Sequence, residues 1–249
     1  MLLFPLVQRC AGPRTPLAYD GGRNANVPAR AAANKIKGEG ISMLKVLGRN
    51  NSSNVQKVMW CIGELGLAHA REDYGGAFGR TKEPAYLSLN PNALVPTIDD
   101  DGFILWESNA IVRYLAAKHG MGTLCPSDLR ARADADRWMD WQVTTTGPHM
   151  FVIFWTLVRT PEDKRDIKAV AEARLKMIDL WAIVDRVLVN RPFLAGDRLT
   201  MGDIPLGIAA YRWYSLIKDA PAMAGVDAWW KRLSERPAFR EHVSGVPLT

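Results

Sequence analysis

A chain of 249 residues has room for one large domain or two modest ones, and its 48% hydrophobic and 23% charged content is that of an ordinary globular protein. The formal charge of +6 is concentrated at the start: residues 1–42 carry Arg9, Arg14, Arg23, Arg30, Lys35 and Lys37 against Asp20 and Glu39, a net of +4 that leaves +2 for residues 43–249. The remainder has no Lys/Arg run interleaved with aromatics and no apolar run of membrane-spanning length, so neither nucleic acid nor a membrane is an expected partner.

Residues 1–42 mix Gly, Pro, Asn, Ala and Arg without sustained periodicity. They are read as a disordered leader, or as a start assigned too early, since Met43 directly precedes the first strand-like run. Met1–Val7 lacks the basic n-region of a signal peptide, and an Arg-rich, acid-poor transit peptide is the remaining alternative. Cys10, Cys61 and Cys125 are odd in number and widely spaced. That pattern fits neither a disulfide framework nor a zinc site, and it favours a reducing cytoplasm; no metal and no tightly held cofactor are expected.

From Met43 the elements alternate. Leu44–Leu47 reads as a strand ending at Gly48, and Val55–Leu65 as a helix with Val55, Val58, Met59, Ile62 and Leu65 at helical spacing, stopped by Gly66. His69–Tyr74 is a second strand. Pro84–Leu89 is a short helix closed by Asn90-Pro91-Asn92. Leu94–Ile98 and Phe103–Trp106 flank a hairpin tip with Asp101-Gly102. Ser108–Lys118 is an amphipathic helix ending at Gly120. This β-α-β-α-β-β-α order over residues 43–120 suits a thioredoxin-like domain and is too short for a full doubly wound one. After a linker at 121–128 the strand signals stop. Ala131–Trp155, Asp163–Val189, Met201–Ile217 and Val226–Leu233 read as helices, broken at Pro161 and Pro192, so residues 129–249 form an all-α C-terminal domain. Seven of the nine tryptophans lie in this part.

Three segments carry candidate chemistry. The first is the turn Gly48-Arg49-Asn50-Asn51-Ser52-Ser53-Asn54, between a strand and a helix N-terminus. Free N–H groups and the positive helix end favour an anion there. Its serines serve equally as N-caps; a hydroxyl in this place can also donate to a thiolate, and thiols at helix N-termini fall to pKa values of about 3.5–7.5 from about 8.5. The second is Val95-Pro96 at the entry to a strand, where proline is out of place unless it turns the chain. A cis bond is found at only about 5–6% of X-Pro sites in general. The third is Glu107-Ser108 at the next helix start. Ser108 is either a plain N-cap with Glu107 solvated, or the two hold the amino-acid end of a ligand, carboxylate to the helix N–H groups and ammonium to Glu107.

The order of Ser-bearing turn, Val95-Pro96-Thr97, Glu107-Ser108-Asn109-Ala110-Ile111 and an all-helical second domain resembles the glutathione transferase family over residues 43–249. The segment Phe193–Ile204 also resembles a helix-capping segment of that family, with Thr200 capping and Asp203 reaching back in the manner of a capping box. The resemblance implies a cis Val95-Pro96 bond, glutathione as co-substrate, and a homodimer. In serine-type members, of theta- or phi-like kind, the thiol-activating serine stands six residues before a helix valine. Gly48, Ser52 and Val58 match that spacing, with Ser53 and Asn54 as neighbouring alternatives. Val95 and Pro96 are then expected at the cysteinyl unit, and Glu107 and Ser108 at the γ-glutamyl end. Arg80 and Lys82 are loose matches for the glycine carboxylate. Met150, Phe151, Phe154, Trp155 and Tyr214 are candidates for the electrophile pocket, although a Phe/Trp stripe at helical spacing is equally an interhelical core.

The expected function is conjugation of the glutathione thiolate to small, largely apolar electrophiles, in a detoxifying role. Two alternatives stand beside it. One is glutathione-dependent reduction of disulfides or peroxides; the other is a non-catalytic relative that binds ligands or partners. Cysteine is absent from the turn, which disfavours chemistry that needs a nucleophilic Cys, and Cys61 falls within an apolar helix face.

Overall fold

A computed structural model describes residues 43–249. The expectations for residues 1–42 and for Cys10 lie outside the described residues. The first part runs β1 (Leu44–Leu47), α1 (Ser53–Leu65), β2 (His69–Glu72), α2 (Pro84–Leu87), β3 (Thr97–Asp100), β4 (Phe103–Trp106) and α3 (Ser108–His119). Its four-stranded sheet has the order β2-β1-β3-β4, with β1 parallel to β2 and antiparallel to β3, and β3 antiparallel to β4. This is the thioredoxin-like arrangement expected from the element order.

The boundaries follow local chemistry. Helix α1 begins at Ser53, two residues earlier than the apolar periodicity suggests, because polar first-turn residues do not register in that pattern. It ends as expected at Gly66, which takes φ 63° as the left-handed cap. At the hairpin tip Asp101 and Gly102 both have positive φ, 56° and 84°, and Asp99 accepts the Gly102 N–H at 2.8 Å. The expected strand Leu94–Ile98 is paired only from Thr97; before it the Val95–Pro96 peptide is cis.

The second part is helical throughout: α4 (Leu129–Trp141), α5 (Gly147–Phe154), α6 (Ile167–Leu188), α7 (Asp203–Leu216), α8 (Ala224–Ser234) and α9 (Pro237–Phe239). The predicted helix Ala131–Trp155 is here a longer helical run reaching Arg159. Two π-helical stretches, Gln142–Thr146 and Trp155–Arg159, divide it. Pro148 has no N–H to give to the preceding turn, so the hydrogen-bond register shifts just upstream of it. The predicted start at Asp163 is a short 3-10 turn, Glu162–Lys164, and α6 itself begins at Ile167 with Asp166 accepting the Ala169 N–H. Helix α9 and the π-turn Arg240–Ser244 have no counterpart in the sequence reading.

The apolar core is continuous between the two parts. Helix α1 packs on α3 on one side and on α7 on the other. Trp60, fully buried, meets Phe239 edge-on at 4.9 Å. A Cβ on Gly207 would lie 2.7 Å from the Trp60 ring, so only glycine admits the indole there. Beside it Arg236 makes paired bonds of 2.6 and 2.5 Å to the Glu64 carboxylate, which also accepts the Trp60 N–H. The Thr200/Asp203 segment differs in detail from a capping box. Asp203, fully buried, accepts Leu194 and Thr200 N–H groups and the Trp229 ring N–H, and the Thr200 hydroxyl bonds the carboxylate instead of capping the helix. One carboxylate thus ties the segment before α7 to α8.

Candidate functional site

The turn after β1 is held from three directions. Gly48 N–H donates to Glu72, Arg49 N–H donates to Tyr74, and Arg71 donates to the Gly48 carbonyl at 2.8 Å. Gly48 is also close-packed: a Cβ there would meet Val55 at 2.5 Å and Val95 at 3.2 Å, so the turn and the Val95–Pro96 loop lie against each other. That loop is braced by buried polar groups. Tyr86 O–H lies 2.6 Å from the Leu94 carbonyl, and Asn90 donates to the same carbonyl at 2.9 Å and to Thr97 at 3.1 Å. Burial raises the Tyr86 hydroxyl pKa.

Ser52 occupies the N-cap of α1, is 8% exposed, and makes no side-chain cap bond. Its hydroxyl is therefore not consumed by the helix. Ser53 and Asn54 follow on the first turn. The Ser108 hydroxyl donates to Asn54 Oδ1 at 3.3 Å, linking the starts of α1 and α3. Glu107, at the N-cap of α3, has φ 73°. Holding a non-glycine residue there costs about 1–3 kcal/mol and clusters at functional sites.

These segments border a cavity of about 260 Å³ between the sheet part and the helical part. Ser53, Asn54, Glu107, Ser108, Met150 and Phe151 line it. A smaller notch alongside is bounded by Asn54, Val95, Pro96, Glu107 and Ser108. The structure therefore gathers the 48–54 turn, the cis-Pro loop, Glu107-Ser108 and part of the aromatic set. Ser52 directly precedes the lining residues Ser53 and Asn54 and does not itself border the cavity or the notch.

Other predicted residues sit elsewhere. Arg80 is exposed, stacked over Tyr74 at 3.9 Å and bonded to its hydroxyl, and Lys82 is exposed. Neither borders the cavity. Phe154 is buried beneath the Arg212 guanidinium, and Trp155 is half-exposed and stacked on Phe151. Tyr214 donates to Asp227 at 2.6 Å and stacks on Trp230, away from the lining. Burial raises its pKa, and the Asp227 bond adds to this. Cys61 is fully buried and burial pushes its thiol up, which makes it inert core as expected.

Lys57, Asn109, Gln142 and Arg212 also line the cavity and were not anticipated. Lys57 is 5% exposed and donates to Gln142 Oε1 at 3.0 Å. Burial, reinforced by Arg212, lowers its pKa to about 8, against a weaker opposite pull from Glu107. Burial also brings Arg212 down to about 10, with Arg159 and Arg49 adding to the shift. A signal was available: Lys57 interrupts the apolar run of α1, and Arg212 is the only cation in the sequence of α7. Among the described residues there is no cluster of three or more His, Cys, Asp or Glu side chains able to hold a metal, and no helix long and apolar enough to cross a membrane.

Fold and crevice together define a protein with a thioredoxin-like domain and a helical domain, with a crevice where helix starts and a cis-Pro loop meet the helical part. The glutathione S-transferase N-terminal domain family matches residues 51–118, and the C-terminal domain family matches residues 146–237. Glutathione S-transferase GstB of Escherichia coli (strain K12) is 39% identical over 210 residues, covering 83% of this chain and all of its own. The chain belongs to the glutathione S-transferase family. Glutathione S-transferase F9 of Arabidopsis thaliana is 30% identical over 81% of this chain and 97% of its own. The crystal structure of a theta class glutathione S-transferase from Xanthomonas axonopodis pv. citri with glutathione bound is 44% identical, with a TM-score of 0.80, over 84% of this chain and all of that one.

Proposed function

We propose that this protein is a glutathione transferase whose cavity between the two parts joins the glutathione sulfur to a small electrophile with an apolar body. The observation that carries the reading is the convergence of the 48–54 turn, the Val95–Pro96 loop and Glu107-Ser108 on one crevice, in a chain related to glutathione-binding enzymes. In this reading Glu107 takes the ammonium of the γ-glutamyl end. The Ser108 hydroxyl and the free N–H groups at the start of α3 take its carboxylate. The backbone of Val95 pairs with the cysteinyl unit.

Ser52, whose hydroxyl no helix cap consumes, is the proposed donor to the sulfur. A hydrogen bond to the thiolate, aided by the positive end of α1, holds the thiol ionised near neutral pH. The sulfur lone pair then forms the new carbon–sulfur bond while the leaving group departs with its bonding pair. The thiol proton goes to solvent. Proximity contributes a large part of the rate, and Met150 and Phe151 supply apolar wall. Dimeric assembly, which family membership implies, belongs to the same proposal.

The test compares Ser52→Ala, Ser53→Ala and Asn54→Ala by the pH dependence of kcat/KM with 1-chloro-2,4-dinitrobenzene. Ser52→Ala is expected to move the acid limb upward by about one unit or more, the loss of one charge-assisted bond. An unchanged limb in Ser52→Ala with a shift in Ser53→Ala would transfer the role to Ser53. No turnover and no glutathione binding by the wild-type protein would end the reading.

A further inference from the structure

The cavity contains two cations that the glutathione-dependent reading does not use. Lys57, one turn into α1, and Arg212, near the end of α7, both line it. Lys57 is 5% exposed, and its ammonium bonds Gln142 Oε1 at 3.0 Å. Arg212 has a buried Nε without a hydrogen-bond partner among the described residues. Its guanidinium lies over the Phe154 ring at 3.8 Å, which fixes its plane. No Asp or Glu carboxylate among the described residues comes within ion-pair distance of either cation. Buried charge without a counter-ion is costly and is ordinarily paired. Here two like charges share one cavity with the Glu107 carboxylate, which acts on Lys57 only from beyond ion-pair distance, and the remaining wall includes Met150, Phe151, Pro205 and Ile208.

We propose that Lys57 and Arg212 form an anion subsite for the second substrate, so that the preferred electrophile carries a carboxylate on its apolar body. This rests on the transferase reading of the same cavity and names the class of acceptor. The apolar wall holds the hydrocarbon part, and the cations hold the carboxylate and so orient the reacting carbon toward the sulfur. Glutathione also has carboxylates. Its γ-glutamyl end is assigned to Glu107 and Ser108, however, whereas these cations come from the second turn of α1 and from α7. The acceptor's carboxylate is the occupant the placement favours.

The experiment uses 4-chloro-3-nitrobenzoate and 4-chloro-3-nitrobenzamide, which differ in charge and hardly in shape. In both, the thiolate pair bonds the ring carbon bearing chlorine, chloride leaves with its pair, and the thiol proton passes to buffer. The carboxylate activates the ring less than the carboxamide, so intrinsic reactivity favours the amide. The wild-type protein is expected to favour the benzoate in kcat/KM by about tenfold, with Lys57→Met and Arg212→Met each lowering that ratio by about tenfold, chiefly through KM, and Lys57→Arg restoring part of it. A ratio unmoved by both Met variants overturns the proposal. So does a loss of glutathione affinity, by calorimetry, equal to the loss for the benzoate, since the anion would then be glutathione's own. Calorimetry with 3-nitrobenzoate against 3-nitrobenzamide, without glutathione, separates this proposal from the reading it rests on. Tighter binding of the anion that disappears in the Met variants supports the subsite even if glutathione fails to bind, and equal binding overturns it even if conjugation is observed.

Discussion

At the scale of single residues, Lys57 is the informative side chain. Its ammonium is taken out of water and bonded to a neutral amide, so its folded pKa falls from 10.5 to about 8. The sign follows from proton counting. Between these two values the unfolded chain binds more protons than the folded one, so stability rises with pH through that window. The size is on the order of 3 kcal/mol over the full window. Lys57→Met is expected to flatten that slope. Urea unfolding of wild type and variant at pH 7.5, 9 and 10 checks it, and parallel slopes for the two proteins would refute the assignment. The sequence contained this residue in plain view, interrupting the apolar face of α1. What it lacked was Gln142, 85 residues away, which makes the position habitable.

Among the elements, α7 shows how a local motif can be recognised and its chemistry still be incomplete. Thr200 and Asp203 stand at the spacing of a capping box, and Asp203 does reach back to Thr200. The same carboxylate also accepts the Leu194 N–H and the Trp229 ring N–H, nine and 26 residues away, which no local spacing announces. Asp203→Ala should therefore cost more than a lost cap. It leaves four donors, the Thr200 hydroxyl included, without their acceptor, a loss of at least about 3 kcal/mol, while Asp203→Asn retains one acceptor oxygen and should cost less. Chemical denaturation at neutral pH measures both, and a loss below about 1 kcal/mol for the alanine variant would contradict the bonding described. The helical run 129–159 shows the converse. Its existence was legible from periodicity, but the π-stretch at Gln142–Thr146, which carries Gln142 beside Lys57, follows from Pro148 acting within a helix that tertiary packing keeps continuous.

For the whole molecule, the two parts read as domains in sequence share one core. Trp60 is fully buried in the structure, yet its neighbours include Gly207 and Phe239 of the helical part. Residues 43–120 expressed alone would expose that face, along with the α1 surface that packs on α7. Burying such side chains contributes about 1.5–3 kcal/mol each, so the fragment is expected to lack a cooperative transition. Near-UV circular dichroism through a urea titration tests this; a sigmoidal unfolding curve for the fragment would show that the sheet part stands alone. The site inherits the dependence, because its cavity has one wall from each part.

The sequence by itself determined the element order, the thioredoxin-like and helical division and the places of the three candidate segments, whereas the cis form of Val95–Pro96 was implied only by the family resemblance. It could do so because periodicity, glycine and proline punctuation and helix-start chemistry are local properties of the chain. Only the tertiary structure decided which side chains face the cavity. Arg80 and Lys82 are near the loop in sequence but turn to solvent, while Lys57 and Arg212, 155 residues apart, come together in it. That meeting depends on how α1 seats against α7, a packing set by Trp60, Gly207 and the partly buried Glu64–Arg236 pair, and no local pattern encodes it.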